Sequence, residues 1–256
     1  MGIFKETLLE FFDRKQHLAG LAITVLGILL IYLGISKRLE LVDNNLETAA
    51  NVTVFAIGAL QTFVSLMVLL AAVSTIFLFS KLSRKGQVEY YLSKPISRGS
   101  FFFSKLFSIY FIYAIALTAL CSMVGIELIG LGVISPAQFG YVLSINLISF
   151  GIWMSVVMFV GMLTKSVTYC FASLAAVWIG QLILTGRESW IGAGQFGRYL
   201  LDTIYYILPN TSEMGQMAQL LASGEAVTNW LPVMTSVVLL LLLIYSSKSR
   251  FQRLDF

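Results

Sequence analysis

The chain has 256 residues, of which 58% are hydrophobic and only 12% charged, against about 45–50% apolar and about 25% charged in an ordinary soluble domain. So few charges cannot cover a water-soluble protein of this size, which argues against a soluble enzyme, a secreted scaffold or a disordered tail and makes lipid the solvent. Two cysteines and one histidine leave no material for a multi-disulfide framework, and almost none for a metal cluster or a histidine-based nucleophile. The net charge of +4 is dispersed rather than gathered in one patch. It therefore marks membrane sidedness and gives no reason to expect a nucleic-acid partner.

At the start, Phe4, Leu8 and Phe11 repeat at helical spacing with Lys5, Glu6, Asp13, Arg14 and Lys15 between them, which predicts an interfacial helix over residues 1–17. It does not read as a signal peptide, because its charge is mixed and the apolar run after it ends in Lys37-Arg38 rather than a small-residue cleavage site. A bilayer core of about 30 Å needs about 20 apolar residues in a helix. Six runs qualify: residues 18–36, about 52–80, about 106–129, 141–163, 168–185 and 231–245. Each is expected to be a helix, because in lipid the backbone must satisfy its own hydrogen bonds. The fold expected is an all-α integral membrane protein with six transmembrane helices, forming a single domain over 1–256. In the first run Gly20, Gly27 and Gly34 recur every seven residues, a spacing that lets another helix approach closely.

Six spans place both termini on one side of the membrane. Segments 1–17, 81–105, 164–167 and 246–256 carry thirteen of the 17 basic residues, so that side, with both termini, is expected to be cytoplasmic.

The most informative loop is residues 81–105, KLSRKGQVEYYLSKPISRGSFFFSK. Residues 84–93 form a short predicted helix with Val88, Tyr91 and Leu92 on one face and Tyr90 beside them, stopped by Pro95. Such a face has no core to enter within its own loop, so it either docks in a partner's groove or lies on the membrane with its basic residues at lipid phosphates. On the opposite side, residues 186–230 mix short apolar helices with turns. Tyr199, Leu200, Thr203, Ile204 and Ile207 share a stripe, Pro209-Asn210 breaks it, and Met214, Met217, Leu220 and Leu221 begin another. These helices lie at the interface or dip into it.

Gly192, Gly194 and Gly197 match the glycine spacing of dinucleotide-binding folds but follow no strand, so they read as a turn. A phosphate-binding loop is absent from the sequence, so any ATP that drives this protein binds another chain. No catalytic, cofactor or metal residues are expected. Cys121 and Cys170 read as buried hydrophobes and His17 as a polar cap at the membrane edge. Four residues are candidates for a substrate route. Glu127 falls near the outer end of the third span, where it reaches either headgroups or a polar path. Gln61, Asn146 and Gln181 are carboxamides at depth, where hydrogen bonding between helices is the plain alternative.

The loop residues Lys85-Gly86-Gln87-Val88-Glu89-Tyr90-Tyr91-Leu92-Ser93-Lys94-Pro95-Ile96-Ser97-Arg98, followed by Ser104-Lys105, resemble the signature of the type-two ABC exporter permeases. Tyr205-Tyr206-Ile207-Leu208-Pro209-Asn210 resembles the element before that family's last span, and residues 250–256 resemble its C-terminal ending. The likeness is to the permeases grouped with multicopper-enzyme maturation and gliding motility. It departs at Ser83-Arg84-Lys85, where an acid is usual, at Gln87 in place of threonine and at Ser104 in place of glycine.

The resemblance implies a coupling helix that contacts a separate cytoplasmic ABC ATPase. Gly86 begins that helix, Glu89 and Leu92 make contacts, and Pro95, Ser97 and Arg98 form the turn into the third span. It also implies ATP and Mg held by the partner ATPase, a second permease subunit as homodimer or paired chain, surrounding membrane lipids, and a bacterial or archaeal cytoplasmic (inner) membrane location. The function expected is a permease subunit of an ATP-driven exporter. The alternative is a non-transporting anchor or force transmitter that acts on an extracytoplasmic partner through residues 186–230.

Overall fold

The computed structural model describes residues 46–82, 97–130, 132–185 and 208–253, together with Gly197, Tyr199, Thr203 and Tyr205. Among these residues every element is a helix: α1 (Leu46–Leu82), α2 (Arg98–Gly130), α3 (Pro136–Thr164), α4 (Val167–Thr185), α5 (Thr211–Ser223) and α6 (Leu231–Gln252). Three of them, α2, α3 and α6, are long and apolar enough to cross a membrane, with mean hydropathies of 2.1, 2.0 and 1.8. The apolar stretches Leu60–Ile76 in α1 and Val167–Gln181 in α4 are shorter. Six full spans were expected from uncharged length; the described residues give three full-length candidates and two shorter apolar helices, which together mark a membrane-embedded, all-helical protein. The predicted interfacial helix at 1–17 and first span at 18–36 lie outside the described residues, as do residues 83–96.

The helix ends follow local chemistry. Ser97 caps α2, its hydroxyl accepting the Ser100 N–H at 3.2 Å. The helix therefore starts at Arg98, and the predicted loop ends at Ser97 rather than Lys105, which is buried within α2. At α3 the sequence Ser135-Pro136-Ala137-Gln138 makes a capping box: the Ser135 hydroxyl accepts the Gln138 N–H, and the Gln138 side chain accepts the Ser135 N–H at 2.6 Å. A two-residue turn joins α3 to α4, with Lys165 in the left-handed region at φ 54° and its N–H donating to the Gly161 carbonyl. Gly224 ends α5 at φ 81°, a conformation a side chain would strain, and the Glu225 N–H returns to the Leu220 carbonyl at 2.9 Å.

The bundle is organised around α3, on which α1, α2, α4, α5 and α6 all pack. Every residue from 149 to 158 is buried, so this helix has neighbours on all sides. Tyr110 of α2 stacks on Phe150 with ring centroids 5.7 Å apart and donates its hydroxyl to the Leu147 carbonyl. Glycine permits a close approach of α3 to α4 and α1: a Cβ on Gly161 would already be in van der Waals contact, 3.4 Å from Cys170 Sγ and 3.5 Å from Phe79 Cβ. On the periphery, Phe107, Phe111 and Ile115 of α2 and Val238, Leu241, Leu242 and Tyr245 of α6 remain exposed. These faces suit lipid.

Candidate functional site

A cavity of about 430 Å³ opens between α1, α3, α4 and α5. From α1 it takes Gln61, Thr62, Ser65, Leu66, Val68 and Leu69, and from α3 Asn146, Ser149 and Trp153. Trp178 and Gln181 come from α4, and Thr211, Ser212, Gly215, Gln216 and Gln219 from α5. None of these side chains is charged. Three of the four residues picked as a substrate route, Gln61, Asn146 and Gln181, therefore meet in one place.

The carboxamides are built into two knots. Asn146 Nδ2 donates to Gln61 Oε1 at 3.2 Å and to the Val142 carbonyl at 2.8 Å. In return Gln61 Nε2 donates to Asn146 Oδ1 at 3.4 Å and to Ser65 Oγ at 3.1 Å. Each amide nitrogen has two hydrogens, so all four donors of this α1–α3 pair are used. In the second knot Gln181 Nε2 donates to the Pro209 carbonyl at 2.7 Å, and the Thr211 hydroxyl donates to Gln181 Oε1 at 2.8 Å. It ties α4 to the start of α5, while the Asn210 N–H donates to the buried Ser236 hydroxyl of α6 at 3.0 Å. Interhelical hydrogen bonding, the plain alternative for these carboxamides, is thus present alongside the cavity they line.

Helix α5, within the segment 186–230 expected to lie at the membrane interface or dip into it, packs against α3, α1 and α6. Met214, Met217, Ala218 and Ala222 are buried, with Met214 Sδ 3.9 Å from the Ser149 hydroxyl of α3. Leu220, placed on the apolar stripe from its spacing, is 39% exposed, because the packed face turns through Ala218 and Ala222 instead. Ser212, Gln216 and Gln219, at i, i+4 and i+7, share the opposite face and line the cavity. At Gly215 a Cβ would lie 3.1 Å from Gln61 Nε2, so glycine keeps α5 close to the amide pair. Glu213 in the first turn of α5 accepts the Tyr205 hydroxyl at 2.6 Å, and a carboxylate there also suits the helix N-terminus.

Glu127 lies in α2, its side chain outside the described ones, and no described side chain of α2 lines the cavity. Of the coupling-loop candidates, Gly86, Val88, Glu89, Tyr90, Tyr91, Leu92 and Pro95 lie outside the described residues. Ser97 and Arg98 are described, and both are exposed. Arg98 Nη1 donates to the Gln252 carbonyl at 3.1 Å, Phe101 and Phe102 pack on the fully buried Phe251 with centroids 6.0 and 5.7 Å apart, and Lys248 Nζ sits 5.2 Å from the Phe103 centroid. The start of α2 is thereby clamped to the end of α6. Cys121 and Cys170 are buried free thiols, and no group of three potential metal ligands occurs among the described residues.

Sequence reasoning missed Ser149, Trp153, Trp178 and the polar face of α5. The signal was present in α5: two glutamines and a serine at helical spacing opposite two methionines, in a chain with few polar residues. Comparison of the chain with protein-family models and with curated proteins returns no match.

Proposed function

We propose that this chain is the membrane-spanning permease subunit of an ATP-driven exporter of the type-two ABC class, powered by a separate cytoplasmic ATPase that holds ATP and Mg. The cavity between α1, α3, α4 and α5 is the observation that carries this proposal. A void forfeits packing contacts, so a polar-lined open space favours a transporting bundle over a purely structural anchor. A bundle that moves cargo needs polar groups converging on open space within apolar helices, and Gln61, Asn146 and Gln181 converge there.

The clamp between α2 and α6 supports the power side of the same proposal. A loop that follows α1 and feeds into Arg98 would, when displaced, carry the start of α2 with it. Through the Gln252 carbonyl and Phe251 it would also pull on the end of α6. Both helices pack on α3, whose Asn146, Ser149 and Trp153 line the cavity. In this scheme the basic residues near the clamp (Arg98, Lys248, Arg250 and Arg253) face the cytoplasm of a bacterial or archaeal cell, the loop helix docks the ATPase through Tyr90, Tyr91 and Leu92, and a second permease subunit completes the complex. Nucleotide-driven closure acts only as far as the ATPase binds the two arrangements of the loop differently.

The test is co-purification with the cytoplasmic ATPase and measurement of ATP turnover for wild type against the Tyr91→Ala/Leu92→Asp double variant. The variant is expected to lose association and stimulated turnover while retaining its helical content. Unchanged association would overturn the docking assignment. ATP-dependent rearrangement with no substrate flux in vesicles would convert the permease into a force transmitter.

A further inference from the structure

We infer that the first turn of α5 is a two-state switch. In the described arrangement its capping groups are held by the surrounding bundle; in a second arrangement they close on each other as a capping box and release the start of α5 from α6. The inference stands without the permease proposal.

The chain carries the same capping sequence twice. Ser135-Pro136-Ala137-Gln138 and Asn210-Thr211-Ser212-Glu213 each place a good capping residue three positions before a glutamine or glutamate, the pattern that pairs side chains and backbone reciprocally across a helix start. At α3 the box is closed, with Ser135 at ψ 158°. At α5 it is open. Asn210 has nearly the same φ, -88° against -82°, but its ψ is 48° and its side chain makes no capping hydrogen bond, although asparagine is among the best N-cap residues. The groups the box needs are engaged elsewhere. The Asn210 N–H, which the Glu213 carboxylate would accept, donates instead to the Ser236 hydroxyl of α6 at 3.0 Å, and Glu213 accepts the Tyr205 hydroxyl at 2.6 Å. On either side of Asn210, the Pro209 carbonyl and the Thr211 hydroxyl are both tied to Gln181 of α4.

The open box leaves a mark. Asn210 Nδ2 is the one buried side-chain nitrogen or oxygen without a hydrogen-bond partner among the described residues, in a residue only 4% exposed. A buried donor left this way opposes the arrangement that buries it. Closing the box relieves it: rotation about ψ of Asn210 brings Oδ1 to the Glu213 N–H and turns Nδ2 out of its apolar surroundings, while the Glu213 carboxylate accepts the Asn210 N–H. Asn210 has a single N–H, so the Ser236 contact and the closed box exclude each other. That exclusion makes the turn bistable rather than continuously deformable. Thr211, Ser212 and Gly215 belong to the cavity wall, so the switch moves that wall.

The switch is read at Ser236, which is 1% exposed and is uncovered when the Asn210 turn lifts. Ser236→Cys, in a Cys121→Ala/Cys170→Ala background, is labelled with a small membrane-impermeant maleimide on the full chain in lipid nanodiscs with no ATPase present. With Asn210 in place, labelling is expected to be slow but to reach completion. Asn210→Ala removes both the unpaired donor and the capping oxygen and is expected to slow labelling about 10-fold. Asn210→Ser restores a capping oxygen and is expected to return the rate to within a few-fold of that with Asn210. Asn210→Leu, which fills the space alanine leaves, is expected to slow labelling as alanine does and keeps the inference testable if the alanine variant misfolds. Labelling of the alanine and leucine variants as fast as with Asn210, or faster, would overturn the inference, because an asparagine that merely holds the turn shut, directly or through a buried water, gives that result. So would equal rates for the alanine and serine variants, or no labelling at 236 with Asn210 in place. Loss of ATPase docking at the loop would leave this result standing, and failure here would leave the docking test untouched.

Discussion

Helices α3 and α6 are almost equally apolar, with mean hydropathies of 2.0 and 1.8, yet 67% of the apolar stretch of α3 is buried inside the bundle against 17% of that of α6. Hydropathy decides that a helix enters lipid, and the position of its small and polar residues decides how deep in the protein it sits. In α3, Asn146, Ser149, Gly151, Ser155 and Gly161 are spread through the length, and each is buried. In α6 the middle, residues 237–244, is purely aliphatic, and the buried polar residues Ser236 and Ser247 lie towards its ends. Lipid tails are as apolar as leucine, so aliphatic side chains gain little by leaving them. Glycine, serine and carboxamides gain a partner or a close approach only against another helix.

That contrast is broken most severely at Gly161. Replacing it with leucine forces a branched side chain into the space held by Cys170 Sγ and Phe79 and is expected to cost at least about 1–3 kcal/mol, read as an earlier thermal unfolding midpoint in detergent. Next comes the amide pair. Asn146→Leu strands the Gln61 carboxamide, and a loss of about 1–2 kcal/mol is expected, while adding Gln61→Leu should recover part of it. A double-mutant cycle measures this coupling, and strict additivity would show that the pair is not an interaction. Arg98→Ala should cost less than about 1 kcal/mol, because its contact with the Gln252 carbonyl is exposed. Under the permease proposal it should nevertheless reduce ATP turnover in the complex with the proposed ATPase. The smallest effect belongs to α6: Leu241→Ala, at a residue 60% exposed, is expected to stay within about 0.5 kcal/mol. A large loss there would mean that protein, not lipid, covers this face.

Much of this architecture was legible in residues. Uncharged runs located α2, α3, α4 and α6 and the apolar part of α1. Their ends were not legible from charge alone, because caps set them: Ser97 starts α2 before its lysine, and Ser135 with Gln138 starts α3 five residues ahead of the apolar run. Gln61, Asn146 and Gln181 stood out because a carboxamide in an apolar helix must find a partner. That they share one cavity depends on the pairing of α1 with α3 and of α4 with α5, which spacing within a single helix cannot encode. Serine is common in these spans, and Trp153 and Trp178 resemble any interfacial aromatic, so neither type announced a lining role. The inserted helix α5 was half-visible: its methionines marked a buried face, but its short length and modest hydropathy made it look like a surface element.

If the chain is a permease, the cavity is a polar route that ATP hydrolysis opens and closes. Ser212→Cys and Gln216→Cys, each in a Cys121→Ala/Cys170→Ala background, can be labelled in membranes with a small membrane-impermeant maleimide, with Val238→Cys on the exposed face of α6 as reference. With the ATPase bound, labelling at 212 and 216 is expected to proceed and to change rate on ATP addition, while 238 stays unlabelled in lipid. Failure of both cavity positions to label, or labelling at a rate indifferent to ATP, would contradict it.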